Sequence, residues 1–207
     1  MANLMDLLQG QLSEGLIDQL SQQLGGADKQ KTEIAAQGAI STIMSALNKN
    51  AQSPQGAASL ANALENDHDG GILDNIGSLF GMAAAPQEPS MPRALNGAGI
   101  LKHVLGGKQS GAVDMISKMS GLGDGNTANL MTMLAPMVMG MLGKQKRQQG
   151  LDAGGIAQFL MNSVGSASAK QEEMGLIGKL LDQDGDGSVM DDLAGMGMKM
   201  FGRFMRK

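Results

Sequence analysis

The densest run of oxygen-bearing side chains in this 207-residue chain is Asp182-Gln-Asp-Gly-Asp-Gly-Ser-Val-Met-Asp-Asp-Leu193. In a twelve-residue cation loop, positions 1, 3 and 5 turn oxygens inward, a glycine at 6 makes the sharp bend, and position 7 lends a backbone carbonyl. Asp182, Asp184, Asp186, Gly187 and Ser188 fill those places in order, and Val189 would anchor the loop to a core. The closing carboxylate is missing, because position 12 is Leu193 and the last acids, Asp191 and Asp192, come early. A side chain one residue early on a helix points about 100° away. Closure would need a shortened loop that recruits Asp192, or water. We expect weak calcium binding, toward about 10⁻⁴ M, with Asp182, Asp184, Asp186, Ser188 and Asp192 as ligands and magnesium as the alternative ion. The bland reading is an acidic turn whose Asp191 and Asp192 favour the start of a following helix through its dipole.

Other chemistry is sparse. Glu65-Asn-Asp-His-Asp-Gly-Gly-Ile-Leu-Asp-Asn-Ile76 aligns on the acidic loop without gaps, but Glu65 opens it and Asn75-Ile76 close it. We read it as a degenerate, structural sister. His68 then belongs to an exposed polar turn, and His103 to the surface of a helix. Two isolated histidines supply no general base or triad. Gly106-Gly-Lys-Gln109 lacks the spacing and hydroxyl of a phosphate loop, and Gly121-Leu-Gly-Asp-Gly125 follows no strand and reads as a helix-ending turn. No enzymatic machinery is expected.

The elements that would carry these residues are helical. Leu4, Leu8, Leu12, Leu16, Leu20 and Leu24 recur every fourth residue, a helical stripe broken near Gly10 or Gly15. A second helix starts near Asp28 and runs to about Asn50. Ser53-Pro54 marks the next, a capping hydroxyl followed by proline in the first turn. A short helix is expected through Ile72, Ile76, Leu79 and Phe80. Residues 83–96 hold three of the five prolines and read as a linker. Beyond it, helices are expected at 98–105, 110–120, 126–143, 152–164, 170–181 and 191–206. The apolar run Leu130–Leu142 is too short to span a bilayer, is interrupted by Pro136, and reads as a buried core helix.

Self-similarity suggests a duplication. Leu16–Gly25 matches Ala112–Gly121, Ile43–Lys49 matches Val138–Lys144, and Gly56–Leu60 matches Gly155–Phe159. The expected organisation is therefore all-α, with multiple short helices in two duplicated subdomains: 1–82, a Pro-rich linker at 83–96, and 97–207, which ends with the loop at 182–193.

Composition narrows the function classes. The chain is 42% hydrophobic, with 19 Met, 4 Phe and neither Trp nor Tyr, favouring helices over strands. The 31 Gly predict short helices and tight turns. A net charge of -4 and the lack of aromatic platforms argue against nucleic-acid binding. Absence of cysteine removes disulfides, thiolate nucleophiles and zinc fingers, and fits a reducing, cytoplasmic setting. The opening residues carry Asp6 and no basic region, unlike a signal peptide. The basic, amphipathic end, Met196–Lys207, could touch a membrane surface or seal a protein interface. A closing core helix with cations at its C-terminal dipole is the simpler reading. A homo-oligomer or a protein partner using Met-rich surfaces remains the alternative to an ion-binding role.

Four stretches carry a resemblance: Met5-Asp-Leu-Leu-Gln-Gly-Gln-Leu12, Leu105-Gly-Gly-Lys-Gln109, Leu134-Ala-Pro-Met-Val-Met-Gly140, and Leu180-Leu-Asp-Gln-Asp-Gly-Asp-Gly-Ser-Val-Met-Asp-Asp-Leu193. Together they resemble a bacterial domain-of-unknown-function family related to small YidB-like helical proteins, with an EF-hand-like DxDxDG loop at the C-terminal end. The resemblance implies an all-helical fold and a bacterial cytoplasmic setting, and supplies no activity.

Overall fold

A computed structural model describes Leu8, Gly10, residues 12–71, Leu73 and residues 93–170. The regular elements among them are all helical: α1 (Glu14–Gln23), α2 (Lys29–Ala51), α3 (Pro54–Asn66), α4 (Gly97–Leu105), α5 (Gln109–Ser120), α6 (Asp124–Gln149) and α7 (Ala153–Lys170). Single 3₁₀ turns at Arg93–Leu95 and Gly106–Lys108 flank α4. The expected helices at 170–181 and 191–206, the one through Ile76 and Phe80, and the acidic loop at 182–193 lie outside the described residues.

The helix starts follow local chemistry. Ser13, Asp28, Ser53, Asn96 and Asp152 each accept a hydrogen bond from the backbone N–H three residues on. Such a cap is worth about 1 kcal/mol. Pro54 stands in the first turn of α3, where its missing N–H costs nothing. The stripe that begins at Leu4 breaks at Leu12-Ser13, and Gly15 lies inside α1. Helices α5 and α6 end on Gly121 and Gly150 in the left-handed region, at φ 70° and 62°.

Two helices form the centre. α2 buries Ala35, Ala36, Ala39, Ile40, Ile43, Met44 and Leu47, and α6 is buried without a break from Met133 to Gly143. α2 packs against α6, α5, α3, α1 and α4; α6 packs in addition against α4, α5 and α3. At 23 and 26 residues, these two exceed the short helices expected from the glycine content. Several glycines lie inside helices as points of close approach instead of ending them: Gly38 sits against Ile116, and Gly143 against the His68 carbonyl.

Pro136 does not interrupt α6. It has no N–H for the carbonyl four residues back, which is that of Thr132. Gly97, the first residue of α4, lies against that same oxygen: a Cβ on Gly97 would stand 1.9 Å from Thr132 O. The carbonyl that proline leaves without its helical donor is thus the surface on which α4 begins.

The chain divides into two compact units, Met1–Val164 and Gly165–Lys207. Residues on both sides of the Pro-rich stretch 83–96 belong to the first unit, where α2 from the N-terminal half packs on α5 and α6 from the C-terminal half. The expected division into 1–82 and 97–207 is therefore not a division of the packed core. Among the described residues no helix is long and apolar enough to cross a membrane.

Candidate functional site

The sister of the acidic loop folds onto α6. After α3, the N–H groups of Asp67 and His68 both donate to the Ala63 carbonyl, and Asp69 Oδ1 accepts from the Gly71 N–H at 3.0 Å. Gly70 takes φ +96°, and a Cβ there would stand 2.9 Å from Lys144 Cβ. Still closer, a Cβ on Gly143 would stand 1.7 Å from His68 O. Only a glycine face on α6 admits the loop at this distance. Its acids turn to the cations of the same helix: Glu65 Oε2 lies 3.1 Å from Lys146 Nζ, and Asp69 Oδ2 lies 3.3 Å from Arg147 Nη1. These oxygens are committed to separate ion pairs and do not converge. Among the described residues no three His, Cys, Asp or Glu side chains group as metal ligands. Asp182, Asp184, Asp186, Ser188 and Asp192 lie outside the described residues.

His68 departs from the sequence expectation. It is not in an exposed turn; it is buried, 6% exposed, and its Nδ1 has no hydrogen-bond partner. Burial lowers its pKa from the ordinary 6.5, against the opposing pull of the neighbouring Asp67 carboxylate. The imidazole is therefore neutral at neutral pH. An unpartnered buried polar atom costs about 1–3 kcal/mol, and the residue that carries it lines a cavity.

That cavity is a cleft of about 1260 Å³. Leu47, Leu60, Ile100, Val104 and Met139 give it an apolar lining, and amides and hydroxyls from Asn50, Ser53, Gln55, Ser59, Asn62, Asn66 and Asn96 give it a polar one. Its walls come from the end of α2, from α3, from α4 and from Met139 of α6, with His68 and His103 both on the lining. His103 is exposed, as its helix position suggests. Among the described residues of the lining, Lys49 and Asp67 alone carry fixed charge. Close contacts fix the walls. A Cβ on Gly56 would meet the Asn50 carbonyl at 1.9 Å, seating α3 on the end of α2. Asn50 Nδ2 donates to the Val104 carbonyl at 3.0 Å, tying the end of α2 to α4. The sequence marks none of this as a site, because the lining residues come from three separate stretches and are ordinary polar helix residues.

Fold and site together define an all-α protein with a large, sparsely charged cleft between helix ends among the described residues. A protein-family model, described as bacterial protein of unknown function (DUF937), matches residues 6–145, and the chain belongs to that family. The match takes in the cleft and ends within α6, ahead of the acidic loop. No curated protein and no solved structure matches the chain.

Proposed function

We propose that this chain is a non-enzymatic binding module whose cleft takes an uncharged, amide-rich segment of a partner protein. The observation that carries the reading is His68: a buried, neutral imidazole on the cleft lining with one ring nitrogen unsatisfied. A peptide lined up between Asn50, Asn62, Asn66 and Asn96 would bury apolar side chains on Leu60 and Ile100 while its backbone meets the side-chain amides. Selection of displayed peptides on the wild-type chain, with counter-selection on a Ser59→Trp variant, tests it. Ser59 is exposed and lines the cleft, so the indole fills the groove without entering the core. Sequences enriched on the wild type alone support the module. If no sequence distinguishes the two proteins, the proposal fails.

A second reading rests on the spacing of Asp182, Asp184 and Asp186 before Gly187. We propose weak calcium binding there, with Ser188 and Asp192 completing the set and magnesium as the competing ion, in a structural or modest sensing role. Thermal melts with and without millimolar calcium should show an upward shift that Asp184→Ala removes. Melts that coincide at every calcium concentration refute it.

We also infer that the two halves arose by duplication. Gly25 and Gly121, aligned in sequence, both take positive φ at the end of a helix. Ser21 and Ser117 are both buried, and Gly56 and Gly155 both donate to a cap three residues earlier. A cytoplasmic location and kinship with YidB-like helical proteins belong to the same set of proposals; the absence of cysteine and the four quoted stretches support them.

A further inference from the structure

A surface remote in chemistry from the cleft lies where α5 crosses α2. Met119 is 61% exposed and Met115, one turn earlier on α5, is 39% exposed. The Met119 methyl reaches α2, its Cε 3.9 Å from where a Cβ on Gly38 would be. Ile34, one turn before Gly38 on the same helix face, is 40% exposed. Two thioethers and a branched aliphatic side chain thus share an apolar surface. The other described methionines of the first unit sort sharply: Met44, Met131, Met133, Met137, Met139 and Met141 are buried, while Met161 on α7 is 51% exposed. The chain contains no Cys, Trp or Tyr to compete for an oxidant.

We infer that Met115 and Met119 form a peroxide-reactive modification site, at which sulfoxidation turns the α2–α5 surface from apolar to polar. In the step, a sulfur lone pair attacks one oxygen of hydrogen peroxide or an organic hydroperoxide. The S–O bond forms as the O–O bond breaks. The thioether loses two electrons; the departing oxygen takes up a proton and leaves as water or an alcohol, and the oxygen bound to sulfur releases its own proton to solvent, so no net proton is consumed. No residue of the protein need assist, because thioethers react directly once exposed, and a methionine sulfoxide reductase can reverse the change. Met119 is 61% exposed while its Cε lies beside Gly38 of α2, so the new S=O dipole is planted at the helix crossing.

The test is peptide mapping by mass spectrometry of the full chain after dilute hydrogen peroxide, with N-acetylmethionine in the same tube. Met115 and Met119 should convert at rates near that of the free amino acid. Met44, Met131 and Met137 react only when the core opens, and should lag by about 10³-fold or more for a domain of ordinary stability. Core thioethers converting within about tenfold of Met119 would overturn the assignment. So would Met115 and Met119 surviving after N-acetylmethionine is consumed. The polarity change is read by hydrophobic-interaction chromatography: peroxide should advance elution of the wild type, and a Met115→Leu/Met119→Leu variant should shift less. Equal shifts refute the role of these two residues.

Discussion

Replacing Gly143 by alanine tests the seat of the His68 loop. The new Cβ would stand 1.7 Å from His68 O, where real contacts essentially never fall below 3.0 Å. The obstacle is a backbone oxygen, so no rotamer change relieves it, and the loop must withdraw by more than an ångström. Withdrawal exposes His68 and stretches the Glu65–Lys146 and Asp69–Arg147 pairs. Overpacking of this kind costs about 1–3 kcal/mol, and exposed ion pairs add at most about 1 kcal/mol each. Alanine's better helix propensity returns about 1 kcal/mol. The net loss is about 2 kcal/mol, or roughly 4–8 °C in melting temperature for a unit of this size. Circular dichroism melts at 222 nm give the number, and amide exchange at 65–71 locates the change. Gly111→Ala is the control: a Cβ there meets nothing within 4 Å, so only the propensity gain remains. A Gly143→Ala protein that melts at or above wild type, with the 65–71 amides still protected, refutes the close approach.

The native pKa of His68 is lowered by burial, so its contribution to stability is complete above its unfolded value near 6.5 and is lost as pH falls through the native one. Between pH 7.5 and pH 5 the wild-type melting temperature should therefore drop more than that of His68→Phe; parallel curves would argue against it. Gly97→Ala would bring a Cβ within 1.9 Å of the Thr132 carbonyl and should destabilise by about 1–3 kcal/mol, read from denaturant midpoints. Ser53→Ala removes the bond to the Gly56 N–H and should cost about 1 kcal/mol by the same measurement.

What the sequence makes legible is what acts within a few residues. Ser53-Pro54 announces α3, Asp28 announces α2, and the leucine stripe and the apolar run Leu130–Leu142 mark core-facing segments, because a cap or a stripe is complete inside a single turn or helix. The helix expected at 126–143 is found at 124–149, and that at 98–105 at 97–105. Burial of His68 could not be read the same way. It depends on Gly143, far along the chain, having no side chain, and a missing Cβ looks alike at a turn and at a contact. Glycine content is for that reason a poor guide to helix length here. The cleft is invisible for a related reason: Asn62, Asn66 and Asn96 have the composition of any solvated surface until Asn50 and Gly56 bring their helices together.

The interleaving of α2 with α5 and α6 has a consequence for biosynthesis. A ribosome that has released residues up to Asn66 has delivered α2 with its Ala35–Leu47 face complete and much of its intended cover still untranslated. Closure waits for α5 and α6, so the nascent first half carries an apolar helix face through much of translation. Contacts that span so much sequence also raise the loop-closure cost paid before any reward. For an assembly of helices, this unit should fold slowly.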